Sequence, residues 1–221
     1  MDGKITDIFY VLPFPINGMG GDNATGVSVG GFELSSDHCL IAGNSVDQSD
    51  NENYSSSGKR NIFLTITGKE LDFSDTIWLT DYKENSDITV QTPSQVKLNE
   101  EQFLILWEEY NSKSDKVKVK MVTVDANGKK TSEIVETGLR LSDFVPILTA
   151  DGLVKWYVTD SESVIFCAIN PYDLSSVKGE IKLKGEDTGN DSGNDNDMTV
   201  RREKTLVTIM GMIMTLVSCP A

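Results

Sequence analysis

Chemistry needs polar or nucleophilic side chains held in a fixed relation, and few stretches of this chain offer one. Glu108 and Glu109 follow the apolar run Phe103-Leu104-Ile105-Leu106-Trp107. Two carboxylates can act as acid and base in glycoside hydrolysis. Adjacent residues of an extended strand, however, point to opposite faces, so the pair reads as a solvated strand end. His38 is the single histidine. One imidazole cannot build a multi-histidine metal site, and no nucleophile with a fixed neighbour points to it as a base. It is expected to be structural or solvent-exposed. Asp191, Asn194, Asp195 and Asp197 offer oxygen ligands to calcium, but they lack the central glycine and closing glutamate of an EF-hand loop. Cys39, Cys167 and Cys219 contain no C-x-x-C pair, which argues against a disulfide framework or a zinc knuckle. Cys167, inside Val164 to Ile169, reads as a small buried hydrophobe. Gly18-Met19-Gly20-Gly21-Asp22 matches neither a dinucleotide fingerprint nor a P-loop and reads as a flexible turn. Sequons begin at Asn23, Asn53 and Asn190 and carry meaning only where the host glycosylates. No catalytic, cofactor-binding or metal-ligating residue is assigned, and no cofactor is expected.

The elements that would position such groups are strands. Gln95 to Trp107 and Phe144 to Trp156 align without a gap: each has a short apolar strand, a polar turn and a second apolar strand ending on Trp. Trp107 and Trp156 lie 49 residues apart, a period that suits one propeller blade. In the first copy Phe103, Ile105 and Trp107 share one face while Leu104 and Leu106 share the other, the mark of a strand buried on both faces. Lys116 to Met121 alternates lysine with apolar residues, predicting one wet and one dry face. Asn127-Gly128 suits a type I′ hairpin and Asp151-Gly152 a second hairpin turn. The expected fold is all-β, a partial β-propeller of four-stranded antiparallel blades. Residues 1–38 form an irregular N-terminal segment with one strand expected from Gly26 to Leu34, where adjacent glycines suggest a bulge. Three blade-like units follow, at about 39–92, 93–137 and 138–184. The first is expected to take Cys39 to Val46 as its inner strand and Asp87 to Gln91 as its outer one. Trp78, Trp107 and Trp156 are expected on equivalent strands as packing residues.

The 221 residues carry 34 acidic and 20 basic side chains, a formal charge of −14. Such a surface repels nucleic acid and anionic membranes. The apolar N-terminal stretch from Ile8 to Ile16 is broken by Pro13 and Pro15 with no basic cluster before it, so no signal peptide is expected. Leu206 to Cys219 is too short to span a bilayer, and membrane insertion is not expected. Residues 185–221 change character. Glu186 to Asp197 is polar and acidic throughout, a composition expected to be disordered. From Met198 an apolar, methionine-rich run takes over. Because Met is always ATG, Met-Thr and Met-Ile read as Asp, and Met-Gly as Gly, when the frame moves to the third base. With synonymous choices the tail then spells the Asp, Gly, Asn and Thr of the preceding linker. The tail is therefore expected to be a reading-frame artefact; the competing reading is a genuine short membrane or packing segment.

The period, the strand-turn-strand-Trp pattern and the Asp/Gly/Asn linker resemble blades of β-propeller domains in large secreted or surface proteins of bacteria. The resemblance spans roughly residues 39–184. It lacks the Gly-His and Trp-Asp marks of WD40 repeats, the paired glycines of kelch blades and the Ser-x-Asp-x-Gly-x-x-Trp box of sialidases. It implies a non-catalytic fragment of an exported or cell-surface protein that binds a protein or glycan partner, or spaces other domains. The alternative is a fragment of a propeller-type glycan-processing enzyme. That reading would need carboxylates such as Glu108 or Asp81, and in sialidase-like sites an arginine cluster. Only Arg60 and Arg140 fall in the strand-rich region. About three blades fall short of the four a closed propeller requires, so the open blade faces are expected to drive self-association.

Overall fold

The computed structural model describes residues 28–46, 59–70, 74–83, 85–142, 144–159 and 161–182. Within them the chain is all-β and forms three four-stranded antiparallel sheets, each a simple meander in chain order. Sheet 1 contains β1 (Ser28–Leu34), β2 (His38–Val46), β3 (Arg60–Gly68) and β4 (Ser74–Trp78). Sheet 2 contains β5 (Ile88–Lys97), β6 (Gln102–Asn111), β7 (Lys116–Asp125) and β8 (Val135–Thr137). Sheet 3 contains β9 (Ile147–Leu148), β10 (Val154–Thr159), β11 (Ser163–Ile169) and β12 (Ser176–Lys182).

Two apolar cores explain how the sheets stack. The first joins Leu40, Ala42, Ile62, Leu64 and Ile66 of sheet 1 to Phe103, Ile105, Trp107, Val122 and Val124 of sheet 2. The second joins Leu104, Leu106, Val119 and Met121, on the other side of sheet 2, to Val154, Trp156, Val158, Cys167 and Ile169 of sheet 3. Sheet 2 is thus the middle layer, and the period-2 alternation of β6 sends its odd and even side chains into different cores. Cys167 is buried in the second core, as its apolar surroundings in the sequence implied.

In sheet 1 the strands group one place earlier than the sequence pattern suggests, while sheets 2 and 3 take the four strands expected of the second and third units. The strand expected from Gly26 to Leu34 is the first strand of sheet 1 rather than part of an irregular segment. The stretch around Asp87 to Gln91 does not close sheet 1. It continues into β5, whose residues from Ile88 pair with β6. A pattern-based boundary at Pro93 fails because the chain passes through that proline in a bulge between Gln91 and Ser94 without leaving the sheet. Proline is tolerated there because a bulge residue owes the ladder no N–H. Trp78 also differs from expectation. It lies on the fourth strand of sheet 1, edge-on to Phe63 at 5.7 Å, whereas Trp107 and Trp156 both lie on second strands and face the preceding sheet.

First strands meet where sheets 1 and 2 join. β1 is bulged between Val29 and Gly31, and β1 runs beside β5. A Cβ on Gly30 would lie 2.4 Å from the Pro93 carbonyl, and one on Gly31 2.6 Å from the Gln95 Cβ. Only glycine lets the two backbones approach this closely. Farther along, the β7–β8 turn departs from the type I′ expectation. Gly128 has φ of +74°, but Asn127 is not in the positive region. Gly128 N–H donates to the Asp125 carbonyl and Asp125 N–H to the Lys129 carbonyl. This is the three-residue loop with a left-handed glycine, and Asp125 Oδ1 stabilises it by accepting from the N–H groups of Asn127 and Lys129. The β9–β10 turn repeats the scheme at Gly152, with φ of +79°.

Candidate functional site

The most elaborate polar cluster sits where the loop after β4 crosses sheet 2. Asn61, buried at the start of β3, shapes that loop. Its Oδ1 accepts from the Thr80 hydroxyl at 2.9 Å and from Tyr82 N–H at 2.6 Å, and its Nδ2 donates to the Tyr82 carbonyl at 3.2 Å. Thr80 in turn accepts from Ile62 N–H at 2.9 Å, and Lys130 Nζ donates to the Leu79 carbonyl at 2.7 Å. The loop so fixed aims Tyr82 at Glu109.

Glu109 is a buried carboxylate on the face of β6 that looks toward sheet 1. Its Oε1 accepts from the Tyr82 hydroxyl in a short hydrogen bond and from Trp107 Nε1 at 3.3 Å. Its Oε2 lies 4.0 Å from Lys120 Nζ, which also pairs with Glu136 at 3.0 Å. Lys118 meets the same Glu136 oxygen at 2.9 Å. Burial, the hydrogen bond to Glu109 and that carboxylate's charge push the Tyr82 phenol well above its ordinary value. The two lysine hydrogen bonds hold Glu136 below the usual carboxylate range. A carboxylate whose oxygens face a phenol, an indole and an ammonium is an acceptor hub that ties two layers together.

Glu108 points the other way, as strand alternation requires. Its Oε2 accepts from Gln91 Nε2 at 3.1 Å and from the Thr92 hydroxyl at 3.2 Å. Thr92 has φ of +50°, an unfavourable conformation for a β-branched residue and more so before proline. Glu108 therefore clamps the strained bulge of β5. The two carboxylates serve separate faces and share no hydrogen-bond partner.

A third group of polar side chains stitches β2 to β5. Gln95, almost fully buried, accepts from Ala42 N–H at 2.9 Å and donates to the Leu40 carbonyl at 3.4 Å. Asn44 donates to the Val90 carbonyl at 3.0 Å and accepts from Ser28 N–H and its hydroxyl at 2.8 and 2.9 Å. These amides serve backbone groups where the β1 bulge interrupts the ladder, which is what a buried N–H demands.

His38 opens β2, half-buried and paired with Gly68, its backbone N–H donated to Ser35 Oγ at 2.8 Å. Asp81 is exposed and paired with Lys83 at 2.6 Å. Arg60 opens β3, and Arg140 lies between β8 and β9, where its carbonyl accepts from Trp156 Nε1 at 2.7 Å. The glycine-rich stretch 18–22, the three sequons, Asp191, Asn194, Asp195, Asp197, Cys219 and the tail from Met198 lie outside the described residues. Among the described residues no group of three or more His, Cys, Asp or Glu is placed to hold a metal ion, and no helix is long and apolar enough to cross a membrane. Sequence reasoning missed Tyr82, Asn61, Gln95 and Asn44. For Asn61, Gln95 and Asn44 the available signal was an amide standing within a strand; Tyr82, in the loop after β4, carried none. Compared with protein families, characterised proteins and solved structures, the chain shows no match.

Proposed function

We propose that this chain is a non-catalytic, propeller-type β module of an exported or surface protein, used for partner binding or as a spacer. The observation that carries the reading is the use made of the polar side chains. Glu109, Glu108, Gln95 and Asn44, the groups best placed for chemistry, are engaged in holding layers and bulges in place. Three consecutive four-stranded meanders stacked face to face support the propeller-type architecture. The acidic balance of −14 disfavours nucleic acid as the partner. The test is a glycan array and a panel of chromogenic glycosides run on the full chain beside Glu109→Gln and Glu108→Gln. Binding without turnover supports the module. Turnover that either substitution abolishes would replace it with the glycan-processing enzyme.

A further inference from the structure

We propose that copies of this chain associate head to tail, the open face of sheet 3 in one copy seating on the β1 side of sheet 1 in the next. The association rests on the stacking of the three sheets, and its closure by two copies rests on the propeller-type reading above. Each sheet offers one face to the sheet before it and the other to the sheet after it. Sheets 1 and 2 bury the centres of their following faces, at Leu40, Ile62 and Leu64 and at Leu104, Leu106 and Met121. The corresponding face of sheet 3 carries Ile147, Tyr157, Val164 and Phe166, because Trp156 and Cys167 of the same strands point back to sheet 2. These four side chains are exposed or half-buried.

Six exposed apolar side chains lie at the two ends of the stack. Val29, Phe32 and Leu34 pair with Gly43, Ile41 and Cys39 on the face of sheet 1 turned away from sheet 2. Phe144, Val145 and Ile147 lie on or just before β9, with Phe144 stacked on Tyr157 at 4.4 Å between ring centres. All six are between 47% and 66% exposed. The β2 and β3 part of that sheet 1 face, at Cys39, Ser45, Phe63, Thr65 and Thr67, is already buried within the single chain, so the β1 strip is what remains open. Within the chain, neighbouring sheets meet first strand to first strand, β1 beside β5 and β5 beside β9. The open apolar residues flank β9 and β1, the two first strands at the ends of that series. Placing β9 of one copy beside β1 of the next continues the series of first strands. The two faces differ, so the contact is heterologous, and two copies close it twice into a ring.

Sedimentation velocity on the full chain tests this with Phe32→Asp, Ile147→Asp and the double variant. All change exposed positions, and circular dichroism confirms that each remains folded. The unmodified chain is expected to form a dimer that strengthens with added salt, since salt screens the self-repulsion of a −14 protein. Each single variant should weaken association by about 30-fold or more. An equimolar mixture of the two should recover a one-to-one dimer, because each variant retains the face that the other lacks. The double variant should stay monomeric in every mixture. A monomeric unmodified chain, association untouched by either substitution, or a mixture that fails to complement would each overturn the proposal. So would sensitivity to Ile147→Asp alone, which would indicate sheet 3 packing on its own copy.

Discussion

At the scale of single residues, Glu109 decides more than any other polar side chain. Changing it to Gln keeps an acceptor oxygen for Tyr82 and Trp107 and should cost about 1 kcal/mol. Changing it to Leu leaves a hydroxyl and a buried indole N–H without their acceptor, and should cost about 3 kcal/mol. Urea melts of the two variants check the difference; equal costs would remove Glu109 from its role as a tie. The raised Tyr82 phenol makes the same tie pH-dependent. A group with a raised folded pKa contributes stability that is fully present below its unfolded value, near about 10. That stability is lost as pH rises further. Tyr82→Phe should flatten this alkaline decline. Asp151 behaves in the opposite sense. Lys155 and Thr149 hold its carboxyl down to about 2, so its contribution is present above about 4 and fades as pH falls toward the folded value. In an NMR titration, Lys155→Met should move the Asp151 midpoint up toward the ordinary carboxylate range. Because the side chain is largely exposed, the effect on stability should be slight.

At the scale of elements, the informative feature is the meeting of two bulges. β1 gives up one ladder pair around Gly30, β5 gives up another around Thr92 and Pro93, and the two irregular points face each other. Gly30→Ala would drive a Cβ into the Pro93 carbonyl and should destabilise by about 3 kcal/mol. Gly179→Ala, whose Cβ would meet nothing within 4 Å, should fall within about 0.5 kcal/mol of the unmodified chain. Thermal melts of the pair separate a packing requirement from a general dislike of alanine in strands.

At the scale of the whole molecule, the central sheet carries both cores. Trp107 and Phe103 are fully buried on one side of β6, and Leu104 and Leu106 on the other. Amides of β6 should therefore exchange only through global opening, while those of the edge strand β12 should exchange through local opening. Hydrogen exchange read by mass spectrometry checks this; equal protection of β6 and β12 would contradict the layered account. Loss of Trp107 to Ala should cost about 3–5 kcal/mol and lower protection in sheets 1 and 2 together.

The sequence by itself determined the strand class, the double burial of β6 and the place of Trp107 and Trp156, though not Trp78, on second strands. These are local facts: side chains alternate with period 2, and an unbroken apolar run has no face to give to water. It also marked the adjacent glycines of β1 as a bulge. Only the tertiary structure decided where one sheet ends and the next begins. A strand at Ile88–Lys97 looks the same in sequence whether it closes one meander or opens another, and its partner is chosen by packing across the layers. The same holds for Glu109, Gln95 and Asn61. Each is defined by a group distant along the chain, such as Tyr82 for Glu109 or Ala42 for Gln95, that a sequence pattern cannot join to it. The two carboxylates at 108 and 109 show the division most directly. Alternation alone predicted that they would part, and the fold then assigned one to the seam between sheets and the other to a strained bulge.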